Sequence, residues 1–217
     1  MSLIVIGVTL ALMATSWYES SQERKDELEA LQQLKVALES DLELLSKNFR
    51  RLQETAEDVS ELLQFLRSGA AYDTRIDPGF SAVTVWRGVR MRLAPYEQVK
   101  SRGFSLISNS SIRMKLIDLY ESHFGYLQIS TENDQVVTRD QILPYFYARF
   151  RRPEDEEWEP LDYATLNSDP VFENLLIAKQ NRLESFVLPA YERAIDAIRE
   201  LLVELDGELG PTDSRPE

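Results

Sequence analysis

The chain has 217 residues, of which 43% are hydrophobic and 28% charged, a balance typical of a globular protein. Its formal net charge of −13 leaves no dominant basic face, so a general affinity for nucleic acid is not expected. Because it has no cysteine and a single histidine, His123, disulfides and thiolate chemistry are excluded, a His- or Cys-based zinc site is not expected, and no cofactor is predicted.

The first predicted element is an apolar N-terminal segment. Residues 3–18 contain no charged side chain, and Trp17 and Tyr18 close the run where aromatic residues favour a membrane interface. As a helix this run would span about 24 Å, less than the roughly 30 Å of a bilayer core. We predict a membrane anchor over residues 1–18. A cleaved signal peptide, for which the basic n-region is missing, and a buried hydrophobic helix are the alternatives.

A long helix is predicted over residues 19–69. The stretch 19–68 contains neither Gly nor Pro, and Gly69 stands where a C-cap glycine is expected. Two heptad series mark a stripe along this helix, and all their members except Lys35 are apolar. The series are Leu28, Lys35, Leu42, Phe49, Ala56, Leu63 and Leu31, Leu38, Leu45, Leu52, Val59, Leu66. Such a stripe must face another helix.

Residues 70–168 are predicted to form a helical middle subdomain with loops. A loop is predicted over residues 71–79, because it ends in the turn-forming sequence Asp-Pro-Gly. The segment 80–91 has mixed strand and helix character, and a helix is favoured because nothing else in the chain offers a strand partner. Thr138 and Gln141 have the spacing of a capping box at the start of a further helix.

The sequence GFSLISNSSIR at 103–113 predicts a corner between two helices. Within 93–103, Pro95 suits the first position of a helix and Gly103, just past its end, permits a left-handed turn, after which Ser108 or Asn109 can cap a helix over 110–124. Anion binding at the start of that helix is the less favoured interpretation, because the glycine-rich approach of phosphate loops is missing.

A return helix is predicted over residues 169–207. Asp169 and Pro170 suit its N-cap and first position, and Pro189 inside it predicts a kink or a break. Its apolar residues recur at a 3–4 spacing, so we expect it to pack antiparallel against the long helix. A parallel homodimeric coiled coil of the long helix is an alternative that does not exclude this pairing. Residues 208–217 are predicted to form a disordered tail.

The elements together predict an all-α fold, in which a membrane helix continues into a long coiled-coil-like helix, followed by a helical middle and an antiparallel return helix.

Three segments carry a resemblance: IVIGVTLALMATSWYESSQERKDELEALQQLKVALESDLE, YEQVKSRGFSLISNSSIRMKLIDLYE and FENLLIAKQNRLESFVLPAYERAIDAIRELL. Their order and spacing resemble a family of uncharacterised bacterial proteins, a domain of unknown function with one N-terminal membrane helix. The resemblance implies a single-pass inner-membrane protein whose bulk is periplasmic, and it brings no catalytic residues. The chain departs from that family in lacking the basic stretch before the membrane helix.

Candidate binding residues are concentrated in the locally basic stretch 86–115. Seven Lys and Arg residues stand there against one acid, Glu97. They could dock an acidic partner or an anionic surface, although pairing with acids of the long helices is the favoured interpretation. The residues predicted for an interaction or anion contact are Arg87, Arg90, Arg92 and Arg113.

Catalytic and metal-binding patterns are weak. His123 lies near Asp118 and Ser122, but the chain has no nucleophile elbow of the Gly-x-Ser-x-Gly type. The acidic sequence PEDEEWEP at 153–160 lacks the ligand spacing of a calcium loop. No enzyme activity is therefore predicted.

The predicted function is protein–protein interaction or scaffolding at the bacterial cell envelope, with an unidentified protein partner, the membrane and a homo-oligomer as candidate contacts. An extracytoplasmic ligand-binding or sensing domain is the alternative. Its pocket would lie among the aromatic residues Trp86, Tyr96, Phe124, Tyr145 and Phe146. A hydrolytic enzyme that uses His123 is a third hypothesis.

Overall fold

Helices dominate the structure, and the predicted all-α fold class is confirmed. The computed structural model describes residues 2–152 and 157–210, while the side chains of residues 2–12, 14 and 16 also lie outside the described set. The helices are α1 (Ser2–Arg67), α2 (Asp77–Val83), α3 (Ala94–Arg102), α4 (Ser110–Asp118), α5 (Phe124–Val137), α6 (Leu143–Arg149), α7 (Tyr163–Asn167), α8 (Pro170–Arg182) and α9 (Leu188–Leu209). Two-residue strands, β1 (Phe150–Arg151) and β2 (Glu159–Pro160), pair antiparallel.

Three π turns join the later helices into two long ones. Turns at Leu119–His123 and Thr138–Ile142 link α4, α5 and α6 into a continuous helix over residues 110–149, the middle helix. A turn at Leu183–Val187 links α8 and α9 into a continuous helix over residues 170–209, the return helix. The predicted helix over 110–124 is therefore too short, and the capping box predicted at Thr138 is wrong because Thr138 lies inside the middle helix.

Two of the π turns precede prolines. Pro144 and Pro189 each stand two residues after a π turn ends. In a regular α-helix each ring would clash with the carbonyl four residues earlier, which belongs to Asp140 or Ser185, and both of those residues lie inside the π turns. The wider turn accommodates the ring, so the return helix continues through Pro189 without a break, and the irregularity predicted there takes the form of a π turn.

The long helix α1 and the return helix pack antiparallel. Arg24 near the start of α1 pairs with Glu208 at the end of the return helix, while Arg67 at the end of α1 pairs with Glu173. Between these ends, Lys35 Nζ lies 2.6 Å from Asp206 Oδ1. All six residues of the predicted series from Leu31 to Leu66 are buried.

A third heptad series on α1, which the sequence analysis missed, is also buried or half-buried. It stands one residue before the first predicted series and comprises Glu27, Leu34, Asp41, Asn48, Thr55 and Leu62. Four of these six residues are polar, so an apolar pattern search does not find them. The series faces the segments between α1 and the middle helix, as the contacts of Glu27 and Asp41 below demonstrate.

The buried apolar residues form two separate cores. The first contains α1 from Ala30 to Ala56, together with α3, the first half of the middle helix and the second half of the return helix. The second contains α1 from Val59 to Leu66, together with α2, the end of the middle helix and the start of the return helix. Buried polar side chains lie between the two cores, namely Ser130, Thr131, Asp134, Thr138 and Lys179.

The region after α1 differs from its predicted conformation. The loop predicted over residues 71–79 is wrong at its end, because residues 77–79 begin α2, with Pro78 in its first turn. Gly79 lies so close to α1 that an added Cβ would be 2.9 Å from Leu62 Cβ. The helix predicted over 80–91 is wrong beyond Val83, because residues 85–93 have no regular secondary structure.

Within the residues that the structure describes, no helix combines the length and apolar character needed to cross a bilayer. Most side chains of the predicted anchor at 1–18 lie outside the described residues. The same holds for residues 153–156 of the acidic sequence and for residues 211–217 of the predicted tail, whereas α9 extends to Leu209.

Candidate functional site

A buried ion pair joins the middle and return helices. The Lys179 ammonium lies 2.8 and 2.9 Å from the two carboxylate oxygens of Asp134 and donates to Thr138 Oγ1 at 3.2 Å. It also donates to the Val85 carbonyl at 2.7 Å. Burial lowers the pKa of Lys179, and the charge and hydrogen bonds of Asp134 oppose that change. Because its three protons all have acceptors, this lysine holds neighbouring segments together and is not a free amine nucleophile.

A second buried polar contact holds the chain at Arg92, seven residues after Val85. The carboxylate of Asp41 on α1 is fully buried and accepts from both the backbone N–H of Arg92, at 3.0 Å, and its guanidinium, at 2.9 Å. Residues 84–93, which we call the extended segment, are therefore fixed near both ends, at Val85 and at Arg92. Hydrogen bonds from buried side chains of other elements thus hold this segment, in place of the backbone hydrogen bonds that a helix would have there.

A first cleft of about 440 Å³ opens between the extended segment, α3 and the middle helix. Its wall is aromatic, since the rings of Tyr96 and Tyr120 are stacked with centroids 4.2 Å apart and Phe124 packs edge-on against Tyr120. Glu121 accepts from the Tyr96 hydroxyl and from the Lys100 ammonium, both at 2.7 Å. Burial, and then the hydrogen bond to Glu121, raise the pKa of Tyr96, so this phenol stays protonated.

A second cleft of about 560 Å³ lies on the other side of the extended segment, facing α1. It shares Val89, Arg90 and Gln128 with the first cleft, so Arg90 stands between the two. Its other lining residues are Leu44, Asn48, Trp86, Gly88, Thr131, Glu132 and Gln135. Charged, hydroxyl and amide side chains, together with the apolar Leu44, Trp86 and Val89, thus surround a space of the size that small-molecule sites have.

The four predicted arginines do not form one patch. Arg92 is paired with Asp41, and Arg113 donates to the Ile107 carbonyl at 3.1 Å. Arg90 is exposed between the clefts, and Arg87 is half-buried. The structure thus assigns different surroundings to each, and their role in anion contact stays a prediction.

Other basic residues of the same stretch pair with acids of the protein. Lys100 pairs with Glu121, Arg102 with Asp26 of α1, and Lys115 with Glu200 and Glu204 of the return helix. These pairs reduce the basic surface that the sequence offers to a partner.

The corner at 103–113 is held by acids of α1 and of the return helix. Glu27 Oε1 accepts from the backbone N–H of Ser108 at 2.6 Å and from its hydroxyl at 2.7 Å. Asn109 caps α4, as predicted, and its amide donates to Glu208 Oε2 at 3.1 Å. Gly103 has a φ of 93°, which fits the predicted left-handed requirement.

The aromatic residues predicted to form one pocket are distributed over three places. Tyr96 and Phe124 line the first cleft, and Trp86 lines the second. Phe146 is fully buried in the second core, against which Tyr145 packs. The single pocket predicted from the sequence is therefore wrong, because the middle helix is continuous and keeps residues 124 and 145 far apart along its length.

His123 lies on the surface of the middle helix. Its Nε2 is 3.2 Å from Asp118 Oδ2, and no hydroxyl in the described part of the chain hydrogen-bonds to its ring. No group of His, Asp and Glu residues within the described ranges is arranged to hold a metal ion.

Comparison with known proteins adds no assignment. No protein-family model, no curated protein and no solved structure matches this chain. Membership of the uncharacterised bacterial family stays a prediction that rests on the three quoted segments.

Proposed function

We propose that the protein is a helical interaction module of the bacterial inner membrane, tethered by its N-terminal segment and with its bulk in the periplasm. The observation that supports this function best is the continuity of α1, which runs without interruption from Ser2 to Arg67. The uncharged sequence at 3–18 therefore belongs to the same helix, about 100 Å long, that builds the bundle. A tether of this kind presents the bundle to a partner protein at a fixed distance from its attachment.

The surface of the described bundle suits contact with another protein. Large apolar side chains are exposed on the middle and return helices, including Met114, Tyr126, Ile129, Phe186 and Val203. Two of these rings have arginines over them, since Arg193 lies 5.0 Å from the Tyr126 ring centre and Arg182 lies 5.7 Å from that of Phe186. Aromatic and arginine side chains are enriched in protein interfaces.

Membrane attachment and side are tested with two C-terminal fusions of the full chain, one to alkaline phosphatase and one to a fluorescent protein. We expect the protein in the membrane fraction, phosphatase activity and no cytoplasmic fluorescence. Leu10→Arg, which places a charge inside the apolar segment, should release the protein from membranes. Val36→Arg, an exposed position on α1, is the control and should not. A soluble wild type or a fluorescent cytoplasmic fusion contradicts the proposal.

Ligand binding is a second candidate function, which the pair of clefts beside the extended segment favours. The stacked tyrosines of the first cleft and Trp86 of the second offer flat surfaces to a small organic molecule. A metabolite library should then contain a compound that raises the melting temperature, with loss of the shift in Trp86→Ala or Tyr96→Ala. Tyr147→Ala, an exposed aromatic residue outside both clefts, is the control. Purification with a bound protein and no response to any compound favours the first function.

A further inference from the structure

Large apolar side chains lie exposed where the middle and return helices pack together. Arg193 of the return helix lies over the Tyr126 ring of the middle helix, with its Cζ 5.0 Å from the ring centre. Further along both helices, Lys179 and Asp134 form the buried ion pair. These two contacts fix an antiparallel register, which brings the outward sides of the two helices beside each other. The exposed apolar residues there, which together with Arg182 and Arg193 we call the outer face, are Tyr126, Ile129, Val136 and Phe186.

The spacing of these residues places them on one side of each helix. Tyr126, Ile129 and Val136 are separated by three and then seven residues, so they lie along one stripe of the middle helix. Phe186 and Arg193 are seven residues apart on the return helix. The outer face is therefore a strip about 15 Å long, or about three helical turns. Each of its four apolar residues is 39–58% exposed, and such a group on one strip indicates a contact surface.

The outer face carries two positive charges that have no carboxylate of the described residues within ion-pair distance. Arg193 donates to the backbone carbonyl of Pro189, and Arg182 lies over the Phe186 ring. The acids near the edges of the face have other partners, since Glu184 accepts from a glutamine and Asp140 pairs with an arginine. A partner surface that complements the outer face is therefore apolar and acidic.

The position of the outer face along the bundle argues against a membrane as its occupant. The ion pairs Lys35–Asp206 and Arg67–Glu173 fix the register between α1 and the return helix, in which the numbers of facing residues add up to about 240. The two arginines of the outer face thus lie level with about residues 48–58 of α1, roughly 45–60 Å beyond the apolar segment 3–18. A bilayer that holds this segment does not reach the outer face, so a protein is the better occupant.

We propose that the outer face binds an amphipathic helix of a partner protein, whose apolar side chains pack between the middle and return helices and whose Asp or Glu residues pair with Arg182 and Arg193. The two arginines are eleven residues apart, about 16 Å along the return helix. The matching acids therefore stand about three turns apart in the partner helix, with apolar residues at a 3–4 spacing between them. This inference rests on the proposed interaction function and names the chemistry of the partner.

A second copy of the chain fits the outer face less well than an acidic helix does. A two-fold contact between the outer faces of two copies would set arginines against arginines, and like charges in an interface are unfavourable. At physiological ionic strength, charges separated by more than about 8 Å are screened, so the net charge of −13 does not prevent an acidic helix from pairing locally with the two arginines.

The test is a selection of binders for the full chain from a displayed library of random helical peptides. The enriched peptides should be amphipathic and acidic, and one of them is then titrated by fluorescence anisotropy. Ile129→Ser should weaken its binding about tenfold, because a central apolar contact is lost, and Arg182→Gln and Arg193→Gln should each weaken it several-fold. The matched controls are Val203→Ser, an exposed apolar position about 15 Å beyond Arg193, and Arg199→Gln, an arginine paired within its own helix. Both should leave binding unchanged.

Charge reversal distinguishes direct pairing from a general loss of structure. The double variant Arg182→Glu with Arg193→Glu should lose the selected acidic peptide. The same variant should bind a version of that peptide in which lysines replace the two pairing acids, because the charges again match. All these positions are exposed or half-buried, so the variants should keep the melting temperature of the wild type.

The inference fails if no peptide is enriched, or if the enriched peptides are basic or uncharged. Binding that Ile129→Ser and Arg193→Gln leave unchanged would place the peptide elsewhere. Phosphatidylglycerol vesicles that bind the wild type, but not the variant with both arginines replaced by glutamine, would assign the outer face to a lipid surface. A dimer that Ile129→Ser dissociates would assign it to a second copy.

Failure of the proposed function gives a different result. A soluble wild type in the fusion experiment, together with an acidic peptide whose binding needs Ile129, would remove the membrane tether and keep the outer face as a helix-binding site. A membrane-bound periplasmic protein that enriches no acidic peptide would keep the tether and remove the outer face as the docking site.

Discussion

At the residue scale, buried polar side chains hold neighbouring segments of the chain in place. Glu27 is almost fully buried on α1, and one of its oxygens accepts from both the amide and the hydroxyl of Ser108. Burial raises the pKa of Glu27, but the hydrogen bonds from Ser108 and Arg24 outweigh it, so the net pKa lies below its ordinary value of 4.5. The contact thus stabilises the fold only while the carboxylate is ionised.

Glu27→Gln should lower the free energy of unfolding at pH 7 by about 1–3 kcal/mol, since a charged acceptor of two hydrogen bonds is lost. Because the folded pKa is lowered, the contribution of Glu27 is present above pH 4.5 and is lost as pH falls through the folded value. The gap between wild type and variant, measured by urea denaturation, should therefore shrink on acidification below pH 4.5. Glu23→Gln, at an exposed position of the same helix, should show no such gap. A gap that is independent of pH contradicts the assignment.

The Lys179–Asp134 pair gives a second prediction at this scale. Lys179→Met leaves a buried carboxylate without its cation and should cost about 3–5 kcal/mol of unfolding free energy. The double variant Lys179→Met with Asp134→Leu should recover most of that loss, because no isolated charge remains buried. The coupling is measured by a double-mutant cycle in urea. Additive losses in the double variant would show that the two groups do not act as a pair.

Lys179 also shows what a sequence can indicate about a site. It interrupts the apolar positions Leu176 and Leu183 of the return helix at a 3–4 spacing, so its burial could have been suspected. Its partners could not, because Asp134 and Val85 approach it only through tertiary packing. Tyr191, by contrast, continues the 3–4 spacing of the return helix from Val187 and is fully buried, as that spacing indicates.

At the scale of elements, close approach explains where α2 begins. Asp-Pro-Gly usually favours a turn, but here Gly79 lets α2 pack directly against α1. A Cβ atom added at Gly79 would lie only 2.9 Å from Leu62 Cβ. The local sequence therefore predicted a turn where a helix begins, since it does not indicate which glycine faces another helix.

The extended segment was predicted as a helix for a related reason. The residues that hold it in place, Lys179 and Asp41, lie far away in the chain.

Gly79→Ala should destabilise the protein by about 1–3 kcal/mol, because α2 must move away from α1. Gly125→Ala is the matched control on the middle helix, where nothing lies within 4 Å of an added Cβ. That control should stabilise the protein by about 0.5–1 kcal/mol through helix propensity. Thermal and urea denaturation of both variants give the comparison. Opposite signs are expected, and equal effects contradict the close packing of α2.

At the scale of the whole molecule, the antiparallel pairing of α1 and the return helix decides how the chain folds. The heptad pattern predicted this pairing, because an apolar stripe that long requires a partner, but it left a parallel homodimer open as an alternative. It was not sufficient to predict a third long helix, since Gly125 and Pro144 interrupt the pattern of the middle helix and π turns shift its register. The third heptad series on α1 is mostly polar, so the apolar pattern did not indicate that the segments between α1 and the middle helix pack on that face.

A chain without cysteines allows this pairing to be tested by cross-linking. Lys35→Cys combined with Asp206→Cys places two thiols where an ion pair of 2.6 Å now stands. A short bis-maleimide should join them within one molecule and give a faster-migrating monomer on a denaturing gel. Lys35→Cys with Val171→Cys, at the far end of the return helix, is the control and should not be joined. Covalent dimers as the main product would favour pairing between copies.

The polar layer that separates the two cores has a consequence for how the protein opens. Apolar packing is interrupted at the level of Lys179 and Asp134, and the three long helices continue across it. Amide hydrogens near Leu116 and those near Phe146 should therefore exchange with deuterium at two different rates, each shared by the neighbours in its own half. Weakening one half, for example by Phe172→Ala, should speed exchange there and spare the other. The same break means that a ligand in the second cleft, close to this layer, would slow the opening of both halves at once.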